Sequence, residues 1–425
     1  MSKNQQAHQN IIKPRLNQVQ VNSIQQHTII KDKLLKSPPS TLPNVEGIPL
    51  YGTKSLSDKI QQQFESPKQT CQNIHEKLLK PITKLPEKPS KAIAIIYTGG
   101  TIGMVKDAQG QLSPDPNYLL SVLQTNPIFI HKDMPSYMLY SLPPPIDSSI
   151  MTPEDWRKIA LSVLEIYEIF KGFVIVHGTD TLAYTASALS FMFENLQKHV
   201  VLTASQLPLS SPYSDGYFNL AGSIICASQL QIPEVTVFIN NKLMRGNRSQ
   251  KFSSWSLDAF DSTQMQPLAE FGITLNYRRD LVRNFQEPDY GAGDFKVADI
   301  CDSIGVIHLV PGLEPQVLEN YQSCKGIILQ VFGEGNGGSD QFCEKLGELH
   351  KAGCVIGLVS QAHTSEIKLG SYNASSQLKK AGAKSSQGMT SEAAYAKLSY
   401  LLGKNLTQRD VEDAFTMQNI RGERD

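Results

Sequence analysis

The sequence predicts an α/β fold with two α/β domains on mainly parallel sheets, preceded by a disordered N-terminal tail. Three observations predict it: short apolar runs recur after residue 90, helical signatures alternate with them, and the composition changes once, near residue 90.

The tail is the segment before that change. "NQQAHQN", "NQVQVNSIQQH" and "KIQQQFESPKQT" are Gln-rich, and "KSPPSTLP" and "KPITKLPEKPSK" are rich in Pro and Lys. Such a chain has little apolar surface to set against the ~1–2 kcal/mol of backbone entropy that each ordered residue loses. Residues 1–90 are therefore expected to be disordered, with short helices at most around "LSDKIQQQF" and "CQNIHEKLLK".

After residue 90, "AIAIIY", "FVIVH", "VVLTA", "VTVFIN", "GVIHLV", "GIILQV" and "CVIGLV" read as strands buried on both faces, as in parallel sheets. The helices between them carry start and stop signals. In "MTPEDWRKIALSVLEIYEIF", Thr152 is the N-cap, Pro153 opens the helix, and Glu154 and Asp155 face the positive end of its dipole. Trp156, Ile159, Ala160, Val163, Leu164 and Tyr167 then form one apolar stripe. "TSEAAYAKLSYLLG" is capped by Thr390 and stopped by Gly403. Poor periodicity with Pro and Gly in "YRRDLVRNFQEPDYGAGDFK" places a linker over 286–299, which leaves domains at 91–285 and 300–425.

Charge and composition exclude several partners. Lys+Arg 40 balance Asp+Glu 40, so nothing favours nucleic acid or an anionic membrane. Cys71, Cys226, Cys301, Cys324, Cys343 and Cys354 show no metal-ligand spacing and read as reduced thiols, with no metal implied. "MSKNQQAHQN" lacks the apolar stretch of a signal peptide, and no apolar run approaches the ~20 residues of a membrane span. A cytoplasmic chain acting on a small molecule is the expectation.

Two stretches carry the chemistry. In "YTGGTIGM" and "VHGTDTLAYTASALSFM", Thr98 and Thr179 stand where an apolar run breaks into glycine. Open α/β sheets bind ligands at the carboxyl ends of their strands, where backbone N–H groups converge. Gly99 and Gly100 allow close backbone approach, and Asp180 puts a carboxylate at the next helix. The alternative reading is turn chemistry, since Thr and Asp cap helices and Gly fills turns.

An alcohol needs a neighbouring base to act as a nucleophile. The run "NNKLMRGNRSQKFSSWSLDAF" offers Lys242, Arg245, Arg248 and Lys251. Such a run is usually a solvated loop, but a partly desolvated lysine beside a carboxylate can exchange protons with a hydroxyl. Thr179, Lys251 and Asp180 would then form a relay.

With "DSSIMTPEDW", "TASQLPL", "SDGYFNL" and "RGNRSQK" added, residues 91–425 resemble the cytoplasmic, type I branch of the bacterial-type L-asparaginases. The resemblance implies an asparaginase-like fold and hydrolysis of L-asparagine to L-aspartate and ammonia without metal or organic cofactor. It implies Thr98 as nucleophile, with Thr179, Asp180 and Lys251 as the second catalytic group. Asp147, Ser148, Ser149, Gly178, Asp180 and Asn336 are implied to hold substrate: Ser148 at the α-carboxylate, Asp180 at the α-ammonium, and Asn336 from a neighbouring subunit. A homodimer or homotetramer follows from the same resemblance.

The chain departs from that pattern in places. Gln111 stands where many bacterial members have a tyrosine bonded to the first threonine, and Ile150 replaces an aspartate. Gln330 and Ala362 stand where allosteric members carry an arginine and a cysteine, so substrate activation at a second site is not expected. Other readings remain open. Gly333, Gly335 and Gly338 match a dinucleotide fingerprint, but "CVIGLVSQ" ends without the acid that binds a ribose. The amidase subunit of a tRNA-dependent amidotransferase shares the threonine motifs, and an inactive asparagine-binding relative is the third reading.

Overall fold

The computed structural model describes residues 78–283, 293–370 and 373–425. Nine strands form the larger sheet: β1 (Lys80–Pro81), β2 (Ile93–Gly99), β3 (Tyr137–Ile146), β4 (Gly172–Val176), β5 (Val200–Thr203), β6 (Val235–Ile239), β7 (Lys242–Arg245), β8 (Ala269–Phe271) and β9 (Leu275–Tyr277). Their order is β1-β3-β2-β4-β5-β6-β7-β8-β9, parallel from β3 through β6 and antiparallel at both margins. A second sheet is parallel throughout, with β10 (Ile304–His308), β11 (Gly326–Val331), β12 (Val355–Ser360) and β13 (Lys384–Ser385) in that order.

Alternation along β2 shows why the larger sheet is buried on both faces. Ile93, Ile95 and Tyr97 enter one apolar cluster, while Ala94 and Ile96 enter the other. The first cluster includes α1 (Pro116–Thr125) and α4 (Gly216–Gln229), the second α2 (Pro153–Ile166) and α3 (Leu182–Met192). That second cluster also takes in Ile328, Val355 and Val359 of the smaller sheet. It is completed by α7 (Ser391–Leu402) and α8 (Gln408–Met417). The other face of the smaller sheet packs on α5 (Asp340–Lys351) and α6 (Asn373–Lys380) around Phe342, Leu346 and Leu378. The α/β class and its parallel sheets are those read from the sequence. Helix α2 begins at a capping box of Thr152 and Asp155, and Thr390 caps α7 by accepting from Ala393 N.

Three local expectations are corrected, and one strand is present that the sequence reading did not include. The tail's boundary at residue 90 is too late: Leu79 is buried, β1 pairs with β3, and Leu139 N donates to Thr83 Oγ1 at 2.9 Å. Residues 1–77 lie outside the described residues. Strand β3 is hidden in the sequence because its "SLPPPI" carries prolines, which cannot donate to a ladder. The linker expectation falls partly on residues 284–292, outside the described residues, but its end is docked. Phe295 stacks on Tyr167 at 3.8 Å, and Lys296–Val297 pair with Phe193–Glu194. Finally, β10 is an edge strand whose Val306 is 40% exposed, so it is not buried on both faces. Cys226, Cys301, Cys324, Cys343 and Cys354 are free thiols, and Cys71 lies outside the described residues.

The segment before residue 90 therefore contributes to stability. Relative to a chain beginning at Leu78, one beginning at Pro86 loses β1 and the buried Leu79. The missing leucine alone is expected to cost roughly 2–5 kcal/mol, read as a lower midpoint in thermal or urea unfolding. An unchanged midpoint would show that this segment adds nothing to the fold.

Candidate active site

Parallel pairing of β2 with β4 sets Tyr97 opposite Val176, so the turns that follow both strands lie side by side. Thr98 is 1% exposed, and its Oγ1 donates to Val176 O at 3.0 Å. Beyond Val176 the chain runs through His177, Gly178, Thr179, Asp180 and Thr181 into α3. The two turns touch at glycines. A Cβ on Gly100, whose φ is 87°, would fall 2.5 Å from Gly178 N, so a side chain there would drive the turns apart.

Lysine reaches this place through a hairpin. Asn240 and Asn241 both have positive φ, the requirement of a tight two-residue connection, and they reverse β6 into β7. The turn Gly246–Arg248 then leads to Lys251. The cations of this run are not a solvated loop: Arg245 and Arg248 are buried, and Arg245 forms an ion pair with Glu234 at 2.5 Å. Lys251 Nζ donates to Thr179 Oγ1 at 2.9 Å and to Asp180 Oδ1 at 2.7 Å. A lysine so placed can take up the hydroxyl proton once neutral, with the carboxylate stabilising the ammonium that results.

A fourth segment adds the buried hydroxyl of Ser148. Asp147 caps the turn Ser148–Ile150 by accepting from Ser149 N at 2.9 Å, and both Asp147 and Ser149 are exposed. Ser148 is buried; its carbonyl accepts from Thr181 Oγ1 at 2.8 Å, and a Cβ on Gly178 would fall 2.3 Å from its Oγ. Ile150 is 74% exposed. Thus Thr179, Asp180 and Lys251 are joined by hydrogen bonds, and Thr98, Gly178 and Ser148 line the adjoining turns.

Asn336 stands elsewhere, in the turn after β11, where its backbone bonds both ways with Phe332. Its Oδ1 is buried without a hydrogen-bond partner among the described residues. Gln111 lies on an exposed turn, its N–H donating to Asp107 Oδ1 at 2.8 Å. The glycine run before α5 is closed by Ser360 Oγ donating to Gly333 O at 2.7 Å. Among the described residues no group of His, Cys, Asp and Glu is arranged to hold a metal ion, and no helix is long and apolar enough to cross a membrane.

Sequence reasoning misses the layer beneath the turns. His177 is buried there, with Thr185, Met151 and Trp156 in one polar group. The available signal is a histidine closing an apolar strand, which is equally compatible with a plain core position.

Residues 92–283 match the family model for the asparaginase N-terminal domain, and residues 303–415 match that for the glutaminase/asparaginase C-terminal domain. L-asparaginase 1 of Escherichia coli (strain K12) is 41% identical over 337 residues, which cover 78% of this chain and 98% of that protein. The chain belongs to the asparaginase family. The crystal structure of L-asparaginase I from Vibrio cholerae superposes with a TM-score of 0.71 at 40% identity, covering 79% of this chain and 99% of that one. A more distant relative is a glutamyl-tRNA(Gln) amidotransferase component of Aeropyrum pernix, 31% identical over 364 residues, or 81% of this chain and 82% of that protein. The two family models together span both sheets except β1, and they take in Lys251.

Proposed function

We propose that this chain hydrolyses L-asparagine to L-aspartate and ammonia, with Thr98 as nucleophile and Thr179, Lys251 and Asp180 as the proton-handling group. The observation that carries the reading is the contact of Lys251 Nζ with both Thr179 Oγ1 and Asp180 Oδ1. The likeness to E. coli L-asparaginase 1 supports the choice of substrate. Thr98 Oγ1 leaves Val176 O by rotation about χ1 and attacks the side-chain amide carbon, and ammonia departs with the hydroxyl proton. Water then cleaves the aspartyl ester, with Thr179 and Lys251 taking and returning its proton. Ser148 and Asp180 receive the α-carboxylate and α-ammonium, beside Asp147, Ser149 and Gly178. Asn336 completes the site from a second subunit of a cytoplasmic homodimer or homotetramer.

The domains in this reading are an N-terminal catalytic unit up to residue 285 and a C-terminal unit from residue 300. Ammonia release from L-asparagine, L-glutamine and D-asparagine, each with and without tRNA, tests the function. Release from L-asparagine by the chain alone is expected. Release only with tRNA would favour an amidotransferase component, and none at all would favour an inactive relative.

Rate against L-asparagine concentration is expected to be hyperbolic. Gln330 bridges His308 Nδ1 at 2.8 Å and Ser391 Oγ at 2.9 Å, and it offers no charge to an effector carboxylate. Losing such a charged contact costs ~1.5–3 kcal/mol, or roughly ten- to a hundredfold in effector affinity. A sigmoidal curve made hyperbolic by changing Gln330 would overturn this.

A further inference from the structure

The buried layer under the two turns contains one complete hydrogen-bond chain. Trp156 Nε1 can only donate, and it donates to Thr185 Oγ1 at 3.0 Å. At the other end Gly178 O can only accept, and it lies 2.7 Å from His177 Nδ1. His177 Nδ1 therefore carries the proton, and Nε2 accepts from the Thr185 hydroxyl at 3.0 Å. Met151 Sδ sits against the same pair, 3.1 Å from Nε2 and 3.2 Å from Oγ1. Met151 is three residues after Ser148, and Gly178 immediately precedes Thr179. One imidazole thus touches both the turn that bears Thr179 and Asp180 and the segment that bears Ser148.

We infer that His177 is a positioning residue, which as its neutral Nδ1–H tautomer fixes the Gly178 carbonyl and sets the Thr179 turn against the Ser148 turn. The inference rests on the function proposed above for those turns. Burial agrees with a neutral ring, since it pushes the His177 pKa down to about 4. Turning the Gly178 peptide would displace Thr179 from Lys251, and a misplacement of ~1 Å can cost about a hundredfold in rate.

Two substitutions separate positioning from simple packing. His177→Asn keeps an N–H donor near the Nδ1 position but leaves a void, whereas His177→Phe fills the space and removes the donor. His177→Asn is expected to keep kcat within about tenfold of wild type despite a lower melting temperature. His177→Phe is expected to fall about a hundredfold in kcat even where it melts higher than the Asn variant. Activity that instead follows melting temperature across the pair would overturn the inference.

Should His177→Phe fail to fold, the 15N spectrum of histidine-labelled wild type decides the matter without any assay. A protonated Nδ1 and bare Nε2 on His177 are expected, and the opposite tautomer would overturn the inference. Because the spectrum is independent of turnover, failure of the proposed function and failure of this inference remain distinguishable.

Discussion

Thr98→Ala, Thr179→Val and Lys251→Met are each expected to lower kcat for L-asparagine by about a hundredfold or more while leaving the melting temperature within a few degrees of wild type. The three side chains come from different parts of the fold: Thr98 at the end of β2, Thr179 beyond the end of the neighbouring β4, and Lys251, which touches Thr179, beyond the β6–β7 hairpin. Removing a general acid or base typically costs about 10²–10⁴-fold, and removing a nucleophile costs at least as much. Lys251→Met keeps most of the stem's volume, so a loss there reports on the ammonium group rather than on packing. A variant retaining more than about a tenth of wild-type activity would have lost only ~1.4 kcal/mol, and the role assigned to its side chain would be wrong. Steady-state kinetics beside thermal unfolding reads both quantities.

The largest stability effect is expected at Glu423. Its carboxylate and the Lys397 ammonium are 2.7 Å apart, and both side chains are 0% exposed. Burial works against the Glu423 charge, yet Lys397 and the N–H groups of Ile420 and Arg421 hold its carboxyl below the usual range. Glu423→Ala would leave the ammonium buried without its counter-charge, at a cost of about 3–5 kcal/mol. That is a large share of the ~5–15 kcal/mol that holds a typical domain together. Replacing both partners, as Lys397→Met with Glu423→Leu, is expected to recover part of the loss, because no charge is then stranded although the N–H groups of Ile420 and Arg421 lose their acceptor. Urea unfolding of the two variants reads the difference, and a double variant as unstable as Glu423→Ala would contradict the ion-pair explanation.

The same segment reaches the turn Gly246–Arg248 that leads to Lys251. Gly422 O accepts from Arg248 Nε at 3.1 Å, and Arg421 O accepts from Asn247 Nδ2 at 3.1 Å. Some loss of activity in Glu423→Ala is therefore expected to accompany the loss of stability, and the double variant is expected to restore both in part.

Much of this arrangement is legible in the sequence because local chemistry and tertiary structure agree. Apolar runs such as "AIAIIY" can be buried on both faces only inside a covered sheet, and Thr152 and Thr390 cap helices as their neighbours require. The illegible parts depend on partners distant in sequence. Strand β3 pairs through "YMLYS" before its prolines begin, and β1 exists only because β3 offers an edge to it. Arg245 and Arg248 read as solvated because Glu234 and the last residues of the chain, which bury and pair them, stand outside their own run. His177 is hidden for a similar reason, its surroundings being set by Trp156, Thr185 and Met151.

In the proposed mechanism, amide cleavage passes through an ester on Thr98. Acid quenching during turnover of L-asparagine, followed by peptide mapping by mass spectrometry, would trap that ester. An aspartyl adduct is expected on the peptide containing Thr98, enriched when Lys251→Met slows hydrolysis of the ester. An adduct on the peptide containing Thr179, with none on Thr98, would contradict that mechanism.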